Sequence, residues 1–540
     1  MDFSPSNILL LSLAEAAISF YFFPYVFPKN ALASFFLVFV TVQGTVWCFH
    51  KLVVYPFFLS PLRHLPHPPK GSYPIIGHGL ILFERPPGEA FLRLLKETKS
   101  DGLIYFRGFF HADRLLLASP AALADVLVHK SYDFEKPPWA KNFLRKFLGD
   151  GLLMTEGDEH RHQRKNIMPA FSFRNIKELY PVFCSKSMEL CEVVKRELLD
   201  KPDKVLDIGH FSTMVTLDII GMAGLGRDIG SLRNNDDVLI ENYEEPSTEK
   251  AVYFLLHLLF PPWIMAALPW KLNERVKVTA GNLKRICGVF VANKKSRMKM
   301  ESEEGKDILS IMLRSNNFSE DGLVDQLLTF LAAGHETTSS ALTWATHLLS
   351  THPEIQTRLR TEIHENIPDQ KTLSDPNFDI ATLLEYLPYL NAVCNEVLRL
   401  FPTIPVTARM AIRDTTVCGH FIPKDTLLQV VPWANNRDPA FWGPDSEKFV
   451  PERWIDESGR TTMNGGADSN YSFSTFLHGP RSCIGERFVR AEMRALVAAF
   501  VGEFKMQMAN PEEKVRPGGT ITSKPIDGMR LKLEPVIWGQ

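Results

Sequence analysis

The stretch Phe476-Leu477-His478-Gly479-Pro480-Arg481-Ser482-Cys483-Ile484-Gly485 constrains this chain more than any other. One cysteine sits between two glycines, with an arginine two residues before it. The following residues, Glu486 to Phe500, have helical spacing, so Cys483 falls at or just before a helix N-terminus. Exposed N–H groups and the helix dipole there favour a thiolate. Gly479 and Gly485 permit backbone conformations and close approaches that a Cβ would block. A large, flat ligand could press against such a loop.

The chemistry this suits is a thiolate on haem iron, which pushes electron density onto the metal and favours O–O cleavage. Arg481 is then placed for a haem propionate. A free cysteine in an ordinary loop is the plain alternative, and the usual case for one Cys taken alone. Here the pattern F-x-x-G-x-R-x-C-x-G is met by Phe476, Gly479, Arg481, Cys483 and Gly485. The stretch resembles the haem-binding loop of the cytochrome P450 family.

Bulk properties bound the rest. A chain of 540 residues can bury a large core, and 45% apolar with 23% charged content is ordinary for a globular protein. A net charge of -2 gives no reason to expect nucleic acid as a partner. The seven cysteines are odd in number and hold no C-x-x-C pair. That argues against a disulfide framework and a zinc site, and for a reducing compartment.

The N-terminus is strongly apolar. Ala31 to Phe49 carries no charged residue, and its nineteen residues are about the helix length that a bilayer core needs. Ile8 to Phe27 is a second apolar stretch, interrupted by Glu15 and Pro24. Whether one segment spans or two is open at this point. Asp2 stands where a signal peptide would have a basic region. Lys51, Arg63 and Lys70 follow the apolar stretch, which by the positive-inside rule puts the remainder in the cytosol. Five prolines between Pro61 and Pro74 read as an extended hinge. The expected organisation is an anchor over residues 1–60, a hinge over 61–75 and a catalytic domain over 76–540.

Beyond the hinge, Gly88 to Thr98 reads as helix. Leu103 to Phe110 and Arg114 to Ala118 read as paired strands, with His111-Ala112-Asp113 as the turn. No further strand-rich region is expected before residue 400, so the fold class is mainly α with small β-sheets. The longest helix runs from a capping Ser319 to Ser350, closed by Pro353. Its middle is Ala332-Ala333-Gly334-His335-Glu336-Thr337-Thr338. Ala333 and Gly334 remove bulk, and Glu336 and Thr337 place an acid beside an alcohol. A mid-helix Gly followed by Thr could loosen the hydrogen-bond ladder there. Read plainly, A-A-G could be a helix–helix contact and Glu336 a surface residue.

Glu396 and Arg399 lie three apart on a helix that is apolar nearly all round, so the pair reads as buried and structural. Ala251 to Trp270 is apolar but proline-broken and too short to span a membrane. A buried core helix is one reading of it.

The family resemblance covers most of the chain after about Pro66. It adds A-G-x-E-T at Ala333 to Thr337 and E-x-x-R at Glu396 to Arg399, in the order the family has them. What it implies is the cytochrome P450 fold, preceded by an N-terminal transmembrane helix. It implies haem b with Cys483 as axial thiolate, and Thr337 with Glu336 delivering protons. Arg481, Arg409 and Arg164 would contact propionates. His160 stands where the family's W-x-x-x-R motif has Trp. Arg453, in Pro451-Glu452-Arg453-Trp454, would complete the buried ion-pair set, with Trp454 in place of the family's Phe. Residues 251–270 would be a lid over an apolar substrate route. The activity implied is insertion of one atom of O2 into an apolar small molecule. Its electrons would come from NADPH through a flavoprotein reductase, since no G-x-G-x-x-G unit follows a strand here. The implied location is the endoplasmic reticulum membrane. The wording of the motifs resembles filamentous-fungal members, which points to secondary metabolites such as terpenoids, polyketides or alkaloids. Two other readings share the fold: a haem-thiolate isomerase or dehydratase that needs no reductase, and a haem carrier or sensor without turnover.

Overall fold

The computed structural model describes residues 5–22, 31–233, 256, 264–265, 271–301, 305–519 and 521–538. Most of the expected lid over 251–270 lies outside these residues.

Two apolar helices open the chain, α1 (Pro5–Phe22) and α2 (Ala31–Phe49), and they pack on each other. A π-helical turn, His50–Leu59, follows α2. The proline-rich stretch after it is tied to the domain rather than free. Leu62 and Leu65 are buried in the sheet's core cluster, and the Tyr105 N–H donates to the Pro66 carbonyl at 2.7 Å.

The main sheet has five strands in the order β1-β2-β5-β4-β3. These are β1 (Leu103–Arg107), β2 (Asp113–Leu117), β3 (Phe134–Glu135), β4 (Thr407–Ala411) and β5 (Leu427–Val430). The β2–β5 pair is parallel and the others antiparallel. Two strands arise earlier than expected, β3 and Val205–Asp207, each too short to leave a periodic pattern. The first hairpin also turns earlier than the sequence suggests. Arg107 pairs with Asp113, so Asp113 is a strand residue and the turn is residues 108–112. The reason is chemical: the Asp113 carboxylate accepts hydrogen bonds from Tyr105 at 2.7 Å and Ser60 at 2.8 Å, which hold it in the strand.

The helical body forms the larger core. Its parts relevant to the site are α3 (Gly157–Ile167), α4 (Phe173–Leu199), α5 (Ile208–Ile220), α6 (Glu320–Thr351), α7 (Pro388–Leu400) and α8 (Glu486–Glu503). α6 begins where expected: the Ser319 hydroxyl accepts the Gly322 N–H, and Glu320 and Asp321 sit in the first turn. It packs chiefly on α5, and α8 packs chiefly on α4. α6 runs as unbroken α-helix through Gly334, so the expected loosening at that glycine is not seen.

Candidate active site

The cysteine loop is closed by its own backbone. Cys483 N–H donates to the Phe476 carbonyl at 2.8 Å, and Ser482 N–H to that of Gly479 at 3.0 Å. Gly479 has φ +74°, and a Cβ there would stand 2.1 Å from the Leu127 carbonyl oxygen. The neighbouring backbone alone therefore requires a glycine here. Gly485 is different: a Cβ there would meet nothing closer than the Cys483 sulfur at 3.9 Å. The buried Phe476 ring stacks under the Arg490 guanidinium, 5.1 Å from its centroid.

Cys483 stands just ahead of α8, as its sequence position predicts. Its environment does not favour a thiolate unaided. Burial pushes the thiol up to about 11, although the Gly485 N–H and the Arg164 charge pull the other way. The residue nonetheless has exposed surface. A metal bonded to the sulfur would deprotonate it outright.

Cations gather beside this loop. Arg164, on α3, donates to the Ser482 carbonyl at 2.8 Å and to its hydroxyl at 3.2 Å. Arg409, on β4, is buried, and among the described residues its side chain bonds only its own strand, at the Ala408 carbonyl (2.9 Å) and the Thr407 hydroxyl (3.5 Å). Burial lowers its pKa to about 10. Lys136 follows β3 and lies among the same charges. Its pKa is held well below the usual value by burial and by Arg409, Arg481 and Lys141. His160 is buried, with Nδ1 3.5 Å from the Tyr132 hydroxyl. Burial, Lys136 and the arginines push its pKa down to about 4, so it is a neutral imidazole at pH 7.

Arg481 already has a protein partner. It ion-pairs with Glu156, a residue the sequence reading did not single out, and only part of its guanidinium is left for another partner. Glu135 is likewise engaged, with Lys141 at 2.8 Å. Among the described residues, no carboxylate lies in ion-pair range of Lys136, Arg164 or Arg409. Buried cations are tolerated only when paired. A dianionic group bearing two carboxylates, as haem does, fits this unbalanced cluster. Lys136 carries no sequence signal of its own; only the pairing of β3 with β4 brings it to Arg409.

On the distal motif the structure separates residues the sequence grouped. Gly334 faces α5, where a Cβ would meet Ile220 at 3.1 Å, so this glycine serves helix packing. Thr338 is buried; its hydroxyl donates to the Gly334 carbonyl at 3.0 Å and lies beside the buried Glu492 of α8. Ala333 is exposed and Thr337 half-buried on one face, with the Thr337 hydroxyl donating to the Ala333 carbonyl at 2.7 Å. Glu336 turns to the C-terminal strands β6 (Pro517–Gly518) and β7 (Lys524–Pro525). It accepts from the Thr522 hydroxyl at 2.9 Å and lies 3.2 Å from Lys524 Nζ. Burial raises its pKa, but Lys524, His335 and these hydrogen bonds outweigh burial and hold the carboxyl below the usual range. The two halves meet through aromatics: the Phe171 ring packs on Phe330 of α6 at 5.6 Å and on Phe488 of α8 at 6.5 Å.

Glu396 and Arg399 are both fully buried on α7. Glu396 accepts from Arg399 (2.8 Å, twice), Arg453 (2.9 Å), Trp454 (2.9 Å) and the Val450 N–H (3.0 Å). Arg399 also donates to the Asn436, Ser446 and Lys448 carbonyls. Trp454, which stands where a phenylalanine was expected, contributes a donor that Phe lacks.

Comparison with known proteins agrees with this architecture. The family model for cytochrome P450 matches residues 66–531. The chain is 40% identical over 533 residues to cytochrome P450 monooxygenase sphH of Aspergillus fumigatus, covering 96% of this chain and 97% of that protein. It is 38% identical over 514 residues to cytochrome P450 monooxygenase ptmK of Penicillium ochrochloron (94% and 100%). It is 35% identical over 556 residues to cytochrome P450 monooxygenase FUM15 of Gibberella moniliformis (92% of each). A haem iron with thiolate ligation comes with this family, and the residues around Cys483 suit it. The chain therefore belongs to the cytochrome P450 family and is an oxidoreductase of its monooxygenase kind.

Proposed function

We propose that this chain is a membrane-anchored haem-thiolate monooxygenase that oxidises an apolar small molecule of fungal secondary metabolism, with electrons from NADPH through a reductase. The observation that carries the reading is the unbalanced cation cluster beside the Cys483 loop. When bound, haem would supply activation of dioxygen. Cys483 would hold its iron through the thiolate. Arg164, Arg409, Lys136 and the unpaired part of Arg481 would orient its carboxylates, and the neutral His160 could donate one hydrogen bond. Thr337 would hold a proton at its hydroxyl, in the space that Ala333 leaves open. Glu336 would renew that proton through Thr522 and Lys524. The α2 helix would anchor the domain to the endoplasmic reticulum membrane; its nineteen residues, Ala31–Phe49, carry no charge and are about long enough to cross it. The secondary-metabolite assignment rests on the motif wording and on relatives from Aspergillus, Penicillium and Gibberella.

The test is to express the chain with and without a P450 reductase in a yeast host and compare its microsomes with those of the empty host. NADPH-dependent incorporation of one 18O atom into an extract of the native fungus is expected, only with the reductase present. Products formed without reductase or NADPH would overturn the monooxygenase assignment for this chain. Comparing metabolites of the fungus with and without the gene identifies the substrate.

A further inference from the structure

We infer that the anchor is a two-helix hairpin that crosses the bilayer twice and leaves the N-terminus on the same side as the catalytic domain. The inference rests on the membrane reading of α2 and decides what α1 does. α1 and α2 pack together and are separated in the sequence by the eight residues 23–30, a connection short enough for a hairpin. At 18 and 19 residues, each is about 27–28 Å long by the α-helical rise, close to the roughly 30 Å hydrocarbon core.

The packing of the pair is inverted relative to a protein in water. On α1 the inward stripe is Ser12, Glu15, Ala16 and Ser19, at helical spacing, with Ser12 and Ala16 buried. On α2 the face turned inward includes Gln43 and Gly44. The Gln43 amide donates to the Glu15 carboxylate, joining the helices away from their ends. The outward faces carry Leu10, Leu13, Ile18 and Phe22 on α1, and Leu37, Val38, Val42 and Val46 on α2, all more than half exposed. Small residues and a polar pair inside, with large aliphatic residues outside, is how helices associate in lipid. An acid within a spanning helix is costly, and is found facing a neighbour that can hydrogen-bond it. Gln43 is that neighbour for Glu15. The charges orient α2: Lys51, Arg63 and Lys70 follow it, whereas Lys29 is the one basic residue between the helices.

The experiment places an N-glycosylation acceptor on a spacer either before Met1 or between α1 and α2 of the full chain, expressed in microsomes and extracted with carbonate. The hairpin predicts a carbonate-resistant protein, glycosylated at the interhelical tag and not at the N-terminal one. The natural acceptors Asn317-Phe318-Ser319 and Asn470-Tyr471-Ser472 should stay unmodified and report that the catalytic domain is on the other side. Glycosylation at the N-terminal tag in a carbonate-resistant protein would overturn the hairpin and leave a single span. Resistance with neither tag modified would show both helices lying in the interface, which also overturns it. Release by carbonate would instead sink the membrane reading on which the inference rests. Gln43→Leu strands the Glu15 carboxylate, so part of the interhelical glycosylation should be lost, and the Glu15→Leu/Gln43→Leu double variant should restore it. An unchanged pattern in Gln43→Leu would show that this bond does not hold α1 in the bilayer.

Discussion

Lys524 Nζ stands 3.2 Å from Glu336 Oε1, although 188 positions separate the two residues in the chain (524 − 336). The contact ties the middle of α6 to the C-terminal strands. It also makes a pH prediction, because the cation helps hold the carboxyl below its usual pKa. A depressed carboxyl pKa contributes stability that is present above the unfolded value of about 4.3 and lost as pH falls through the folded value. Both side chains are more than a third exposed, at 38% and 42%, so the contribution is at most about 1 kcal/mol. Lys524→Met should therefore lower the Tm modestly at pH 7 and have less effect near pH 3.5. An equal loss at both pH values would show that the pairing is not electrostatic.

Cys483→Ser should abolish the red-shifted Soret band of the reduced, carbon-monoxide-bound protein, since no other cysteine has the loop around it. The spectrum of purified microsomes reads this directly. A normal band from that variant would remove Cys483 as the ligand.

Glu396→Ala removes the acceptor shared by five donors and leaves a buried guanidinium without its carboxylate. Breaking such a pair costs about 3–5 kcal/mol. The expected result is little haem-loaded protein and a lowered thermal midpoint. Trp454→Phe removes one neutral donor to the carboxylate and should cost about 1.5–3 kcal/mol. Equal losses from the two variants would show that the charge is not what matters.

Arg164→Leu and Lys136→Leu each take one cation from a cluster in which, among the described residues, the carboxylates Glu135 and Glu156 are already paired with Lys141 and Arg481. A charge-assisted hydrogen bond is worth about 1.5–3 kcal/mol, so haem affinity should fall roughly ten- to hundredfold. Haem transfer to apomyoglobin measures it. Because Lys136 has no assigned carboxylate in the apoprotein, Lys136→Leu should leave the thermal stability of the haem-free protein unchanged or raised. A destabilised apoprotein with normal haem retention would make Lys136 a structural residue.

Thr337→Ala leaves the haem-holding residues untouched and removes the hydroxyl on the Ala333 face. Proton assistance of this kind typically contributes about 10²–10⁴-fold. NADPH oxidation should continue while product falls and hydrogen peroxide rises. A wild-type ratio of product to NADPH would move the role away from Thr337, and Thr338 is then a poor substitute because it faces Glu492.

The sequence by itself determined the elements whose signals are local. The cysteine loop, α6 with its Ser319 cap, and the buried Glu396–Arg399 pair are each encoded by spacing, capping or apolar context within one segment, and each is where spacing places it. Family membership was legible for the same reason. The tertiary structure alone decided what depends on residues far apart in the chain meeting. It gave Arg481 the carboxylate of Glu156, brought Lys136 beside Arg409 through β3–β4 pairing, and turned Glu336 toward Lys524. It also split Ala333 from Gly334, two adjacent small residues that face different neighbours because successive positions on a helix point about 100° apart. Long-range ion pairs and helix faces are set by packing across the core, and no local periodicity records which partner a charge will find.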